Sequence, residues 1–370
     1  MSAGGTDPYA AAGVDTEAGD RAVTLMKAAV AATHGPEVLG GVGGFAGLYD
    51  VSFLKDYRRP LLASATDGVG TKIAVARALD KHDTIGQDLV AMVVDDIVVL
   101  GAAPLLLTDY IACGKVVPER IAEIVRGIAE ACAATGTALV GGETAEHPGL
   151  MAADDYDVAA AAVGAVEADK VLGPERVQSG DVVIAIASSG LHSNGFSLVR
   201  RIVSDRGLAY TDQVAELGTS IGEALLEPTR LYTGPLLQLL ADERLGSAIH
   251  ALSHVTGGGI AANLARVLPA GTWTELDRST WSPDPIFRVL AGWAGHELTS
   301  LEGSWNLGIG MIAVVEQSAA ADVVAALNGL GLPSWVAGQI STEARDLDGF
   351  VTEAKGVQGG AVRLVSSYAS

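Results

Sequence analysis

Cysteine is scarce in this sequence, and so are aromatic side chains. The 370 residues include two cysteines, Cys113 and Cys132, and aromatic residues make up 5% of the chain. The two cysteines do not form a Cys-x-x-Cys pair, which argues against a disulfide framework and against a zinc site. Since this pattern fits a reducing compartment, we predict a cytoplasmic protein.

Positive charge is the second shortage. The chain has 24 Lys and Arg residues against 44 Asp and Glu residues, which gives a net charge of −20. Such a chain has no overall positive field to hold a nucleic-acid backbone, so no nucleic-acid partner is expected. Small anions are still compatible ligands where metal ions, backbone amides and a few lysines supply positive charge.

Apolar runs of membrane-spanning length are also missing. The most apolar stretch, "LVAMVVDDIVVLGAAPLLL" (Leu89–Leu107), is interrupted in its middle by Asp95 and Asp96. Two adjacent carboxylates would be costly at bilayer depth, so we predict no membrane span. The N-terminal "MSAGGTDPYAAAGVD" lacks the basic start and apolar core of a signal peptide, and we expect a flexible lead-in there.

What is present is an alternation of strand and helix patterns, which predicts an α/β fold. "ERIAEIVRGIAEACAATG" has one apolar helical face, from Ile121 to Cys132, and a stop at Gly136. "TALVGG" is typical of a strand running into a glycine turn, and "YDVAAAAVGAVE" favours a strand over a helix. The chain length predicts two domains, and the turn-rich "ADKVLGPERVQSGD" places their boundary so that they comprise residues 1–170 and 171–370.

The segment "TDGVGTK" (Thr66–Lys72) is similar to a phosphate-binding loop but departs from the Walker pattern. A Walker loop ends in Lys followed by Ser or Thr, whereas here Thr precedes Lys and an aspartate leads. Asp67 is expected where the strand "PLLASA" ends and a glycine turn begins. A carboxylate at that point suits a metal ion better than a bare phosphate. Lys72 is either a point charge for a phosphate or a solvated lysine.

Three acidic sites in the first half stand beside glycines or at the edges of elements. They are Asp67, the pair Asp95 and Asp96, and Glu143 in "VGGETAEHPG". Because Mg²⁺ commonly bridges one or two carboxylates to phosphates, carboxylates gathered at one end of a sheet would form a magnesium site. Each acid taken singly is more simply solvated or capping a helix. The adjacent pair strengthens the metal interpretation, since it needs partners to offset its desolvation.

Three loops of small residues are candidate ligand contacts. "SSGLHSNGFSL" contains His192 and "SHVTGGGI" contains His254, each just before a predicted helix. Free amides at a helix N-terminus bind anions, so two such loops with histidines favour contact with a ligand, although a single loop histidine is usually structural. The run "GGVGGFAG" (Gly40–Gly47) is either a flap over a ligand or an inert loop.

Taken together, these segments resemble the phosphoribosylformylglycinamidine cyclo-ligase family, also called aminoimidazole ribonucleotide (AIR) synthetases. The resemblance covers nearly the whole chain in the family's order. It is carried by "YAAAGVDTEAGD", "GGVGGFAG", "TDGVGTK", "HDTIGQDLVAMVVDDI", "DYIACGK", "VGGETAEHPG", "SSGLHSNGFSLVR", "HVTGGG" and "NLGIGM". It implies a two-domain α/β (α+β) protein that binds ATP without a Walker loop, and a homodimer whose N-terminal strands form a shared barrel.

The resemblance also implies roles for individual residues. The metal candidates are Asp67, Asp96 and Glu143, and the catalytic candidates are Lys72, His192 and His254. The nucleotide candidates are Lys27, Gly43, Gly44, Phe45, Thr66, Asp67, Gly68, Gly70, Thr71, Lys72, Asp96, Ser193 and Asn194. On its helical pattern alone, Lys27 is a surface lysine. Three positions depart from the family's usual residues: Asp95 replaces Asn and is expected either to strengthen metal binding or to be solvated, His147 replaces Met, and Ala46 replaces Gly.

The reaction that the resemblance implies converts formylglycinamidine ribonucleotide and ATP into AIR, ADP and phosphate, with Mg²⁺ as cofactor. Phosphoryl transfer would activate the formamide oxygen, after which the neighbouring nitrogen closes the ring. Either His192 or His254 is expected to move a proton during closure. The alternatives are a small-molecule kinase of the same superfamily and a nucleotide-binding regulator without catalysis. The intact acids and Lys72 argue against the regulator.

Overall fold

The computed structural model describes residues 15–41 and 43–369. In the first half the helices are α1 (Thr16–Ala31), α2 (Ile73–Leu79), α3 (Ile85–Val98) and α4 (Pro118–Thr135), and the strands are β1 (Val38–Leu39), β2 (Leu48–Tyr49), β3 (Pro60–Gly68), β4 (Ala103–Cys113), β5 (Ala138–Glu146) and β6 (Tyr156–Glu167). In the second half the helices are α5 (Phe196–Asp205), α6 (Ile221–Leu225), α7 (Thr233–Ala241), α8 (Glu243–Ser247), α9 (Gly259–Ala265), α10 (Pro285–Ala294) and α11 (Ala320–Gly329). The strands there are β7 (Val182–Ala187), β8 (Gln213–Val214), β9 (Thr219–Ser220), β10 (Ile249–His254), β11 (Trp273–Asp277), β12 (Ile309–Val315), β13 (Ser334–Ser341), β14 (Val351–Ala354) and β15 (Val357–Val365).

The first half forms a four-stranded sheet in the order β3-β6-β4-β5. Strand β6 is antiparallel to both its neighbours, while β4 and β5 are parallel. Helices α3 and α4 cover one face, called the inner face. The predicted α4 is confirmed: its apolar side from Ile121 to Cys132 is buried, and it ends at Gly136, whose φ of +69° suits glycine. The predicted strand at "YDVAAAAVGAVE" is also confirmed, as β6.

The predicted glycine turn after "TALV" is wrong, because Gly141 and Gly142 lie inside strand β5. Strand β5 continues beyond a bulge because it still pairs in parallel with β4, and this pairing places Gly142 opposite Asp109. A Cβ added to Gly142 would lie 2.0 Å from Oδ1 of Asp109. Glycine at this position therefore makes room for a buried acid on the next strand.

The second half forms a seven-stranded sheet in the order β10-β12-β7-β13-β11-β15-β14. Helices lie on both of its faces, which is why β10 and β12 are buried along their whole length. The sequence of β12 is accordingly almost continuously apolar, whereas β10 also buries His250, Ser253 and His254. Each of the two sheets takes its strands from one half of the chain, and the boundary near residue 170 stays a prediction. Within residues 15–41 and 43–369, no helix is both long and apolar enough to cross a bilayer.

Candidate active site

Asp67 lies at the end of β3, where the sequence predicted it. Asp67 pairs across the sheet with the buried Ala160 on β6, and Ala160 pairs with the buried Asp109 on β4. The side chains of all three residues therefore lie on the inner face. Partial burial raises the pKa of Asp67, and the charge of Asp96 raises it further, while Lys355 and His254 oppose that rise. A second carboxylate therefore lies close to Asp67, in the sort of environment that a cation would stabilise.

The adjacent acids of α3 point to different sides of the helix, because successive helical residues are about 100° apart. Asp95 is fully buried. Its Oδ1 accepts hydrogen bonds from the Thr233 amide (2.9 Å) and the Thr233 hydroxyl (2.7 Å), at the start of α7. Burial raises the pKa of Asp95 to about 6. Both sequence expectations for Asp95 are therefore wrong: this carboxylate neither joins a metal site nor meets solvent.

Asp96, the next residue of α3, reaches the second domain on the open side of the helix. Its side chain is 45% exposed, and its Oδ1 lies 2.9 Å from Nδ1 of His254 at the end of β10. Burial alone would lower the pKa of His254, but the hydrogen bond and charge of Asp96 raise it above the ordinary histidine value. With Nδ1 bonded to a carboxylate, Nε2 of His254 is the titrating position; it is buried and unpartnered among the atoms described.

His192 has a different hydrogen-bonding state. Its Nε2 accepts a hydrogen bond from the Ser189 amide at 3.2 Å, so the ring proton is on Nδ1, which is buried and unpartnered in the described part of the chain. Burial and then the neighbouring His254 hold the pKa of His192 well below its usual value. Its backbone φ is +62°, in the left-handed region. His192 is thus a neutral donor in a constrained backbone position.

The structure does not bring Glu143 to the other two metal candidates. Glu143 is in register with Tyr110 on β4, Ala159 on β6 and Gly68 on β3, one residue along from the row of Asp67. Because side chains alternate along a strand, Glu143 lies on the outer face of the sheet and Asp67 on the inner face. The expectation that all three carboxylates gather at one end of the sheet is therefore wrong for Glu143 within one chain.

Lys72 is neither solvated nor free to meet a phosphate. Its side chain is completely buried. The ammonium nitrogen lies 2.9 Å from the Asp88 carboxylate on α3 and 2.7 Å from the Glu227 carbonyl oxygen in the second domain. The structure thus corrects the prediction that Lys72 binds nucleotide: its ammonium group joins the two domains beneath the Thr66–Lys72 turn.

The other predicted nucleotide contacts fall into three groups. Thr66, Gly68, Gly70 and Thr71 form the exposed or half-exposed turn around Asp67, and Thr71 Oγ1 lies 3.3 Å from Ser197 Oγ of the second domain. Ser193 and Asn194 are partly buried at the same junction. Lys27 is exposed on α1, as its helical pattern indicated, and Gly43, Gly44 and Phe45 are exposed in the Gly40–Gly47 segment, of which Val42 lies outside the described residues.

Two carboxylates, Asp67 and Asp96, fit a magnesium ion. Mg²⁺ keeps several waters and needs one or two protein carboxylates when a phosphate supplies further ligands. Over residues 15–41 and 43–369, no three His, Cys, Asp or Glu side chains are arranged to hold a metal by themselves. The donor set therefore suits an ion that arrives with a nucleotide better than a permanently bound one.

Sequence reasoning missed two kinds of residue at this junction. Asp88 and Thr229 are fully buried. Asp88 stands just before an apolar run, whereas Thr229, between Pro228 and Arg230, has no signal of burial in its local sequence. Lys355, in the turn between β14 and β15, acts on the charge of Asp67 from more than 280 positions along the chain. Nothing in the local sequence of Lys355 indicates that proximity.

The two-sheet architecture and the aspartate-led glycine turn define a class of proteins that two family models describe. The N-terminal domain of AIR synthase related proteins matches residues 50–166, and the C-terminal domain of the same proteins matches residues 178–346. The chain belongs, within this class, to the phosphoribosylformylglycinamidine cyclo-ligases, a family of ligases. It is 48% identical over 337 residues to the phosphoribosylformylglycinamidine cyclo-ligase of Geobacillus kaustophilus (strain HTA426), which covers 91% of this chain and 96% of that relative.

Solved structures support the fold. Thiamine-monophosphate kinase from Stenotrophomonas maltophilia K279a has a TM-score of 0.61 at 19% identity, covering 95% of this chain and 97% of the kinase. The hydrogenase maturation protein HypE in complex with ATP has a TM-score of 0.61 at 17% identity, covering 94% and 95%. The family resemblance is thus confirmed, and the much closer sequence match to cyclo-ligases disfavours the small-molecule kinase alternative.

Proposed function

We propose that the junction between the Thr66–Lys72 turn and the loops of His192 and His254 is where this chain cyclises formylglycinamidine ribonucleotide to AIR, using ATP. The observation that carries the proposal is the 2.9 Å contact between Asp96 and His254, which brings an acid of the first domain to a histidine of the second. Asp67 adds a second carboxylate at the same place. The site therefore combines a cation-binding part with a proton-transferring part.

Asp67 and Asp96 would hold Mg²⁺ together with the phosphates of ATP. When bound, the ion supplies positive charge that neutralises the transferred phosphoryl group. The turn residues Thr66, Gly68, Gly70 and Thr71 line this junction and would position the nucleotide. The loop residues Ser193 and Asn194 line it from the second domain and would face the ribonucleotide. Lys27, Gly43, Gly44 and Phe45 stay predictions for nucleotide contact.

The overall conversion of formylglycinamidine ribonucleotide and ATP into AIR, ADP and phosphate releases one proton. Transfer of the γ-phosphoryl group forms a bond from the formamide oxygen to phosphorus and breaks the bond from phosphorus to ADP. The neighbouring nitrogen then attacks the formyl carbon, and phosphate leaves with the former formyl oxygen. Since both partners belong to one substrate, correct folding of that substrate supplies much of the acceleration, about 7–11 kcal/mol in well-oriented cases.

His254 is the proton acceptor in this proposal. Asp96 fixes its Nδ1 proton and raises its pKa, so Nε2 can take the proton that the attacking nitrogen loses. His192 has the complementary task of donating a hydrogen bond from Nδ1 while staying neutral. The sequence left open which of the two histidines moves a proton during ring closure. In this proposal His254 accepts the proton and His192 donates a hydrogen bond.

We propose that the enzyme is a homodimer whose interface is the outer face of the four-stranded sheet. That face exposes apolar and small side chains, among them Leu62 at 67% and Tyr110 at 43% exposure. Two such faces brought together would close eight strands into the shared barrel, which removes an uncovered apolar surface. Glu143 lies on this outer face and so belongs to the dimer contact. A cytoplasmic location fits the two buried, unpaired cysteines.

The test is a paired product assay on purified protein with ATP and Mg²⁺, with and without formylglycinamidine ribonucleotide. ADP and AIR should appear in equal amounts, and only when the ribonucleotide is present. An Asp67→Asn variant serves as the control that keeps the fold and weakens the cation site. ATP binding without AIR formation would overturn the proposal and favour a nucleotide-binding regulator.

A further inference from the structure

Two buried aspartates on α3 bind two threonines of the second domain in the same way. Asp88 Oδ1 accepts hydrogen bonds from the Thr229 amide (2.8 Å) and the Thr229 hydroxyl (2.6 Å). Asp95 Oδ1 accepts the corresponding pair from Thr233, at 2.9 and 2.7 Å. All four residues are 0% exposed. The two contacts are therefore chemically matched, so any difference in function between them must come from what else each one touches.

The Asp88 contact is connected to both sides of the active site. On the nucleotide side, Asp88 pairs with Lys72, the last residue of the Thr66–Lys72 turn, and Gln87 donates to the Thr229 carbonyl oxygen at 2.8 Å. On the substrate side, Ser193 Oγ lies 3.4 Å from Thr229 Oγ1. Because the Thr229 hydroxyl already donates to Asp88, it can only accept from Ser193. This fixes the direction of the Ser193 hydroxyl.

A second hydrogen bond joins the His192 loop to the segment 227–229 that contains Thr229. Ser189 Oγ donates to the Pro228 carbonyl oxygen at 2.7 Å, and the Ser189 amide donates to Nε2 of His192. The chain of contacts therefore runs from Lys72 through Asp88 and the segment 227–229 to the loop that presents His192. Within residues 15–41 and 43–369, Thr233 itself makes no hydrogen bond to that loop; its neighbour Tyr232 packs beside the His192 ring, with 6.1 Å between the ring centroids, a contact that does not involve the Thr233 hydroxyl.

We propose that Thr229 is a positioning residue, which sets the His192 loop relative to the Thr66–Lys72 turn through Asp88 and Lys72. This inference rests on the proposed function, because it assumes that the ribonucleotide meets the His192 loop. It assigns Thr233 an equally buried but purely structural task. Loss of the Thr229 hydroxyl should displace the His192 loop and so misplace the ribonucleotide. ATP should still bind, because Asp67 and Asp96 are not in the chain of contacts.

The experiment compares Thr229→Val with the matched control Thr233→Val, and adds Thr229→Ser, which keeps the hydroxyl. For each variant we would measure kcat, the KM values for ATP and ribonucleotide, and the denaturation midpoint. Thr229→Val should lower kcat at least about 30-fold and raise the KM for the ribonucleotide, with the KM for ATP within about twofold of wild type. Thr233→Val should lose similar stability yet stay within about threefold of wild-type kcat, and Thr229→Ser should recover most of the activity.

Equal kinetic effects of Thr229→Val and Thr233→Val, or no recovery in Thr229→Ser, would overturn the inference while leaving the proposed function intact. Wild-type protein that makes no AIR would overturn both. If Thr229→Val does not fold, Ser189→Ala replaces it, because it removes only the bond to Pro228. Ser189→Ala should lower kcat without moving the denaturation midpoint or the KM for ATP, and an unchanged kcat would again count against the positioning role.

Discussion

Asp96 and His254 come from different domains, and Oδ1 of the first lies 2.9 Å from Nδ1 of the second. The contact leaves His254 Nε2 as the only titrating nitrogen of that ring. It also places the imidazole within the field of Asp95 and Asp67. A histidine held this way gains basicity from its surroundings and keeps one ring orientation.

Replacing Asp96 by Asn should therefore move the pH profile as well as lower the rate. Because the carboxylate raises the pKa of His254, its loss lowers that pKa, and the acidic limb of kcat against pH should shift to lower pH. The measurement is kcat from pH 5 to 9 at saturating Mg²⁺. A limb that stays in place would show that His254 is not the titrating group.

Asp67→Asn should raise the Mg²⁺ concentration needed for half-maximal activity more than about tenfold, since it removes one of two carboxylates that fit the ion. Stability near pH 7 should not fall, because burial and Asp96 disfavour the charge that the substitution removes. The comparison variant is Glu143→Gln, on the opposite face of the same sheet, which should leave the Mg²⁺ dependence unchanged. Equal effects of the two substitutions would contradict the separation of Asp67 from Glu143.

Lys72→Met should destabilise the protein by about 3–5 kcal/mol, because it leaves the buried Asp88 carboxylate without its cation. The double variant Lys72→Met with Asp88→Asn should recover much of that loss, since the Thr229 hydrogen bonds can still be accepted by the amide oxygen. Urea unfolding of both variants measures the difference. If Lys72→Met unfolds at the wild-type midpoint but loses ATP binding, the original nucleotide role is right.

Asp95→Asn should be more stable than wild type near pH 7 and equally stable near pH 4. The folded pKa of Asp95 is about 6 against 3.8 for the free side chain, so the buried charge costs stability that grows as pH rises from about 4 through 6. The expected difference in unfolding free energy reaches up to about 3 kcal/mol above pH 7. A difference that does not vary with pH would mean that Asp95 keeps its charge at little cost.

The dimer proposal predicts that Leu62→Glu gives a monomer. Leu62 is 67% exposed on the outer face of the four-stranded sheet, and a carboxylate there would be buried unpaired in the proposed barrel. Val336→Glu is the control, because Val336 is 48% exposed on a strand of the second sheet. Sedimentation should show the change for Leu62→Glu alone. A wild-type protein that sediments as a monomer would reject the barrel.

Local signals were enough to predict much of this molecule. The strand β3 with Asp67 near its end, the helix that stops at Gly136 and the buried strand β6 all follow from patterns of fewer than twenty residues. Gly142 was misassigned to a turn because its actual constraint is the Asp109 side chain on a neighbouring strand. A glycine required by close packing looks the same in sequence as a glycine required by a turn.

The errors at the active site share one physical cause. Lys72 and Asp95 were interpreted from their own neighbourhoods, whereas each has a partner more than 130 positions away in the other half of the chain. A charged residue beside a glycine suggests a ligand site when the local sequence does not reveal the protein group that it pairs with. The outer-face position of Glu143 likewise depends on strand register, which a bulge in β5 shifts by one residue.

The paired aspartates of α3 also fix a length. Asp88 and Asp95 are seven residues apart on a helix, which separates them by about 10.5 Å along its axis. Thr229 and Thr233 must span that distance with four residues, whose full extension is about 13–14 Å. Deleting one residue would reduce that reach to about 10–11 Å and leave no slack for both threonines to meet their carboxylates, and inserting one would move a threonine out of register. The length of the segment between the two threonines is therefore matched to the spacing of the two aspartates on α3.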